Sequence, residues 1–311
     1  MRTLLIVGLG LVLLNLPPSG AQQQEPGGRL KLSVETSLVT LPVTVVDSHG
    51  AFVPGLKESA FTVYDNGVPQ AIEFFTDEDL PATVGLVIDS SDSMRGRRDD
   101  VTAAGTAFAE FSHPLDELFT VNFNEWVWPG LPPEVVFAKD VAQLRGALRR
   151  APARGMTALY DAVDRALSHL EVGTHDRKAL IVVSDGGDNA SSTTLEAVLA
   201  HARSAGAIVY SVIVADPDDH DAKPDVLKTF ARETGCDVFA PKRAEEVTNA
   251  FTRIAREIRA AYTIGFPPPD APEGSYRTLR VVVETADHRR LTARTRAGYH
   301  AGRSRRANSQ Q

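Results

Sequence analysis

Three short stretches of this sequence hold side chains suited to a hard metal ion. Asp89-Ser90-Ser91-Asp92-Ser93 offers a carboxylate and two hydroxyls at alternate positions, Ser184-Asp185-Gly186-Gly187-Asp188 a second carboxylate, and Gly155-Met156-Thr157-Ala158 a third hydroxyl. All of these donors are oxygen, with no imidazole or thiolate to favour zinc or copper. The set therefore suits magnesium, with manganese or calcium as substitutes. Near-octahedral magnesium keeps water positions, and neutral hydroxyls leave much of its charge unquenched, so an Asp or Glu of a partner protein can complete the shell. By itself the Asp-x-Ser-x-Ser spacing is weak, because Asp and Ser are ordinary turn and N-cap residues and a helix cap ahead of Val101 explains most such matches. Its weight comes from the elements that carry it.

The runs Val84 to Ile88, Phe119 to Phe123, Ala179 to Val183 and Ile208 to Val214 are short, β-branched and nearly free of charge, as strands covered on both faces are. Helical patterns lie between and after them, at Val101 to Phe111, Val141 to Arg150, Ala158 to Leu170, Leu195 to Ala205, Pro224 to Thr234 and Ala244 to Ala261. This alternation predicts an α/β, doubly wound, mostly parallel sheet over residues 81–260. In such sheets ligands sit beyond the carboxyl ends of the strands. Asp89 follows one strand directly and Asp185 closes another, so both carboxylates fall at that edge.

The flanks have a different period. Val39, Leu41, Val43 and Val45 alternate with Thr40 and Thr44, and turn signals at Asp47 to Gly50 and Asp65-Asn66-Gly67 bracket Phe61 to Tyr64 and precede Ile72 to Phe75. Residues 30–80 are read as a small β module. After Tyr262 to Phe266, the strands Leu279 to Val283 and Leu291 to Thr295 form too short a hairpin to bury a core alone. Residues 261–300 are therefore expected to pack with the N-terminal module, with the α/β domain inserted between them and 301–311 a disordered tail.

Arg2, the apolar run Leu4 to Leu16, Pro17-Pro18 and Ser19-Gly20-Ala21 read as an export signal ending near Ala21, followed by a linker at 22–29. That run is too short to span about 30 Å of hydrocarbon comfortably, so an uncleaved anchor is the weaker reading and offers the sole expected membrane contact. The expected location is periplasmic or extracellular. Across 311 residues, 33 Lys+Arg against 40 Asp+Glu give a formal charge of −7, which argues against a nucleic-acid partner. A single cysteine, Cys236, excludes an internal disulfide and multi-cysteine zinc sites, and is read as a small buried hydrophobe. No His-Glu-x-x-His, Gly-x-Ser-x-Gly or phosphate-binding glycine loop is present.

Asp89, Ser91, Ser93, Thr157 and Asp185 together resemble, in order and context, the metal-ion-dependent adhesion site of von Willebrand factor type A domains. The segments Val-Ile-Asp-Ser-Ser-Asp-Ser-Met, Thr-Ala-Leu-Tyr-Asp-Ala and Val-Val-Ser-Asp-Gly-Gly-Asp-Asn carry the similarity. Val53 to Leu56, Phe61 to Gly67 and Tyr-Thr-Ile-Gly-Phe-Pro-Pro from Tyr262 resemble a bacterial secreted family of von Willebrand factor A-related proteins. The resemblance implies a Rossmann-like domain in which Ser91 and Ser93 ligate the metal directly and Thr157 directly or through water. Asp89 and Asp185 would act mainly through bound water. The sequence departs from the pattern at Met156 and Cys236, where relatives commonly carry glycine; neither change removes a ligand.

Asn124, Trp126 and Met156 are expected on a partner-binding rim, with partial burial against a helix as the competing reading of the Asn124 to Trp128 stretch. Asp216 to Asp221 lacks the spacing of an EF-hand and is read as a solvated turn. The arginines from Arg289 to Arg306 are read as solvated strand faces and tail rather than a contact for anionic surfaces. The leading expectation is a non-enzymatic adhesion-type module of unassigned oligomeric state. An alternative is a magnesium-dependent phosphate-ester hydrolase with Asp89 as nucleophile, although Ser91 stands where a proton donor is needed. A structural envelope scaffold is the third class.

Overall fold

The computed structural model describes residues 38–150, 154–214, 222–285 and 291–302, all within one compact unit. The signal and linker expected at 1–29, the turn at Asp216 to Asp221, Arg289, Arg290 and the tail beyond 302 lie outside the described residues. In chain order, four strands come first: β1 (Val39–Val46), β2 (Phe61–Asp65), β3 (Val68–Gln70) and β4 (Phe74–Thr76). The central part follows as β5 (Ala82–Asp89), α1 (Arg98–Phe111), β6 (Glu117–Phe123), β7 (Val127–Pro129), α2 (Val141–Arg149), α3 (Leu159–Leu170) and β8 (Arg177–Ser184). It continues through α4 (Leu195–Ala205), β9 (Ile208–Ile213), α5 (Pro224–Thr234), β10 (Val238–Phe239) and α6 (Ala244–Arg259). The chain closes with β11 (Tyr262–Phe266), β12 (Tyr276–Val283), β13 (Thr292–Arg294) and β14 (Gly298–His300).

The central sheet has the order β10-β9-β8-β5-β6-β7 and is parallel except for β7, which runs back along β6. Every residue of β5 is buried because helices cover both faces. Val84, Leu86 and Ile88 pack with Val101 and Phe108 of α1 and Phe251 and Ile254 of α6. Val87 joins the opposite layer, with Leu159 and Val163 of α3, Val198 of α4 and Phe230 of α5. Gly85 is required by this packing, since a Cβ there would run into the Phe119 ring. The chain leaves β5 for β6 on one side and later returns to β8 on the other, so the order reverses beside β5, where α/β sheets open a crevice at their carboxyl ends.

The outer strands form two four-stranded sheets, β13-β1-β11-β4 and β14-β12-β2-β3. β1 pairs antiparallel with β11 from Val39↔Phe266 to Val43↔Tyr262, and β2 pairs with β12 from Asp65↔Leu279 to Phe61↔Val283. Leu41, Val43, Val45, Val63, Tyr262, Ile264 and Phe266 fill their shared core. Arg177, at the start of β8 and 4% exposed, pins this core to the central sheet. Its guanidinium donates to the carbonyls of Glu78, Leu80, Ile258, Arg259 and Ala261 and to the Thr263 hydroxyl.

β3, β10 and β14 were not expected from the sequence, and helix α1 starts three residues ahead of Val101, behind a 3₁₀ turn at Asp92–Arg97. Among the described residues, no helix is long and apolar enough to cross a membrane.

Candidate metal centre

β5 and β8 end side by side, with Ile88 paired to Val183, and their last residues are joined by the Ser184 hydroxyl, which donates to Asp89 Oδ2 at 2.6 Å. Asp89 Oδ1 accepts the Ser91 amide at 2.8 Å, which turns the chain beyond β5 so that Ser91 and Ser93 line the cleft. Their hydroxyl oxygens lie 3.1 Å apart, and Ser93 Oγ donates to Asp185 Oδ2 at 2.5 Å. Asp185 Oδ1 accepts the Gly187 amide at 2.8 Å. Gly186 between them has φ +88°, and a Cβ there would meet the Lys223 carbonyl, so the turn that aims Asp185 needs glycine.

Thr157 is held from the other side of the cleft. Its amide donates to Asn189 Oδ1 at 2.8 Å while its carbonyl accepts the amides of Asn189 and Ala190. Asp188 Oδ1 fixes the same junction by accepting the Tyr160 amide and the Ser191 hydroxyl.

Four of the five expected ligands, Ser91, Ser93, Thr157 and Asp185, line an open cleft of about 450 Å³ together with Asp92, Met156, Asp188, Asn189 and Lys223. Asp89 does not face this cleft. At 1% exposed it lies in a smaller recess behind, beside Ser90, Met94 and Arg98. Burial pushes its carboxyl up to about 6; hydrogen bonds from Ser184 and Ser91 oppose the rise and the Asp185 charge adds to it. Among the described residues, no three His, Cys, Asp or Glu side chains gather as ligands, so a cation here would depend on the hydroxyls. The donor chemistry fits a hard divalent ion: hydroxyl and carboxylate oxygens, with Asp92, Asp185 and Asp188 on the cleft wall and Asp89 in the recess beside Ser90.

The expected rim divides. Trp126 and Met156 are 72% and 54% exposed, whereas Asn124 is 4% exposed and offers nothing to a partner. Its amide nitrogen donates to the Arg154 carbonyl, its side-chain oxygen accepts the Trp126 amide, and its backbone carbonyl accepts the Ala158 amide. Asn124 therefore ties the β6–β7 hairpin to the loop bearing Thr157. Sequence reasoning missed Lys223, Asn189 and Asp92 on the cleft wall. Asn189 lies within the segment that drew notice to Asp185, but Lys223 has no local signal, reaching the cleft only through the placement of α5.

No protein-family model matches the sequence, and no curated protein matches it either. Solved structures do. A von Willebrand factor type A protein from Catenulispora acidiphila is similar over 88% of this chain and 76% of its own, at 12% identity and a TM-score of 0.52. The fold is that of a von Willebrand factor type A domain. Also similar are an aerotolerance-related membrane protein from Bacteroides fragilis, with a TM-score of 0.47 and 15% identity over 57% of this chain and 98% of its own, and the vWF domain of the type V pili tip protein Mfa5 from Porphyromonas gingivalis. The latter has a TM-score of 0.47 and 15% identity over 58% of this chain and 95% of its own. Within the von Willebrand factor A fold, the hydroxyl-lined cleft opens from the loops after β5, before α3 and after β8.

Proposed function

We propose that this is an exported protein-binding module, periplasmic or extracellular, in which a divalent cation, magnesium first, captures an acidic side chain of a partner protein. The observation that carries the reading is the convergence of Ser91 Oγ, Ser93 Oγ and Asp185 Oδ2, at 3.1 and 2.5 Å, on the wall of an open cleft faced also by Thr157. Ser91, Ser93 and Thr157 would hold the ion through hydroxyls, with Asp185 and Asp89 balancing its charge through water. When bound, such an ion supplies a coordination position that an outside carboxylate can fill. Export is supported by the charge, apolar run and small residues of the first 21 positions.

The hydrolase alternative needs Asp89 to attack substrate. Asp89 is buried behind the cleft with both carboxylate oxygens accepting hydrogen bonds, so the nucleophile it requires is not presented.

Calorimetric titration of the full chain with magnesium tests the reading. One site per chain is expected in the native protein and none in Ser93→Ala or Asp89→Ala variants that melt cooperatively. Partner recovery from envelope extract should need magnesium and fail after EDTA. Equal recovery in both conditions would remove metal capture as the mechanism.

A further inference from the structure

We propose that the cations beside the cleft form a docking arc for a polypeptide segment with consecutive acidic residues, one of which is the residue captured at the candidate metal centre. Arg149, Arg150, Arg154 and Lys242 are exposed and, among the described residues, pair with no carboxylate. Other arginines are matched by carboxylates, as Arg203 is by Glu233, Arg277 by Asp65 and Arg294 by Asp237, or lie over rings, as Arg256 does over Phe111 and Arg280 over Tyr64. What sets these four apart is their grouping beside the cleft, where they supply a local field on a chain whose formal charge is −7.

The arc is continuous with the cleft. The Arg154 amide donates to the Ser90 carbonyl at 2.9 Å, and the residues that follow Arg154, Gly155 to Thr157, line the cleft. Arg98, in the recess behind Asp89, donates to the Arg149 carbonyl at 3.3 Å, and Arg97 reaches the Lys242 carbonyl at 3.0 Å. One acidic run can thus engage the cleft and the arc together. A long polyanion would meet repulsion on leaving the arc, whereas a short acidic peptide would not. Met156 at the cleft and Trp126 on the hairpin tied to Arg154 add exposed apolar surface of the kind that peptide side chains use.

The arc rests on the capture reading for the position of one acid, and the experiment separates the two. The full chain is titrated by fluorescence anisotropy with labelled octa-aspartate and with a peptide holding a single aspartate among glycines and serines. Titrations are run in magnesium at two salt concentrations and after EDTA. Octa-aspartate is expected to bind about tenfold tighter than the single-aspartate peptide, with an advantage that shrinks in salt. Combined Arg149→Gln, Arg150→Gln and Arg154→Gln, with an unchanged melting temperature, should abolish that advantage and leave single-aspartate binding and its EDTA sensitivity intact. An undiminished advantage in this variant overturns the arc, as does equally tight binding of an oligonucleotide of matched charge. Single-aspartate binding indifferent to EDTA overturns metal capture, while a salt-sensitive octa-aspartate advantage still supports the arc.

Discussion

At the scale of single residues, the cleft depends on backbone that only particular side chains allow. Gly186 combines a left-handed φ of +88° with a carbonyl where a Cβ would sit. Gly186→Ala is expected to cost about 1–3 kcal/mol and to turn Asp185 away from Ser93. Thermal melting and magnesium titration would reveal it, and a native-like melt with native-like titration would deny the glycine its role. A second sensitive point is Asp65, fully buried, which accepts from Arg277 Nε at 2.8 Å and from the Tyr299 hydroxyl at 2.7 Å. Burial, together with that bond to Asp65, pushes the Tyr299 hydroxyl up to about 12. Asp65→Ala would strand a half-buried guanidinium, an expected loss of about 3–5 kcal/mol in denaturant unfolding. That Ser91, Ser93, Thr157 and Asp185 meet at one sheet edge could be read from the sequence because Asp89 directly follows one charge-free run and Asp185 closes another. Asn124 could not be placed correctly, since an asparagine after a strand looks alike whether it faces a partner or staples two loops.

Among elements, Asp161 of α3 organises the loop that leads from β8 into α4. Its carboxylate accepts the amides of Ser192 at 3.0 Å and Thr193 at 2.8 Å, with the Ser192 hydroxyl also in contact. Burial alone would raise its pKa, but these donors outweigh it and hold the carboxyl below its ordinary 3.8. The folded state therefore favours the charged form. Its stabilisation is complete above the unfolded value and is lost as pH falls through the lower folded value. Asp161→Asn should destabilise by about 1–2 kcal/mol at pH 7, with the gap from the native protein closing below about pH 4. A gap that is constant across pH would contradict the account. The alternating α/β pattern was legible because strands covered on both faces lose their polar residues, as the runs Val84 to Ile88 of β5 and Ala179 to Val183 of β8 do. β3, Val-Pro-Gln, and β14, Gly-Tyr-His, escaped notice because a central proline and a leading glycine argue against a strand and neither segment has an apolar run.

For the molecule as a whole, the hydrogen bonds that tie the central sheet to the outer strands are concentrated most densely at Arg177, alongside the Arg294–Asp237 pair and the Arg253 bond to the Gly50 carbonyl. The Arg177→Met substitution preserves bulk but removes the donors to five carbonyls, with an expected loss of about 3–5 kcal/mol. Unfolding followed by tryptophan fluorescence, which reports the hairpin after β6, and by tyrosine signals from the outer sheets should then give separate transitions. A single coincident transition at native stability would contradict that concentration. The interleaving of the two flanks has a further consequence. Tyr262 donates to the Val53 carbonyl across 209 residues, and β1 pairs with the strand that Tyr262 begins. During synthesis the first strands therefore emerge long before the segments that close their edges, and they must be shielded as bare hydrogen-bonding ribbons until the last quarter of the polypeptide arrives.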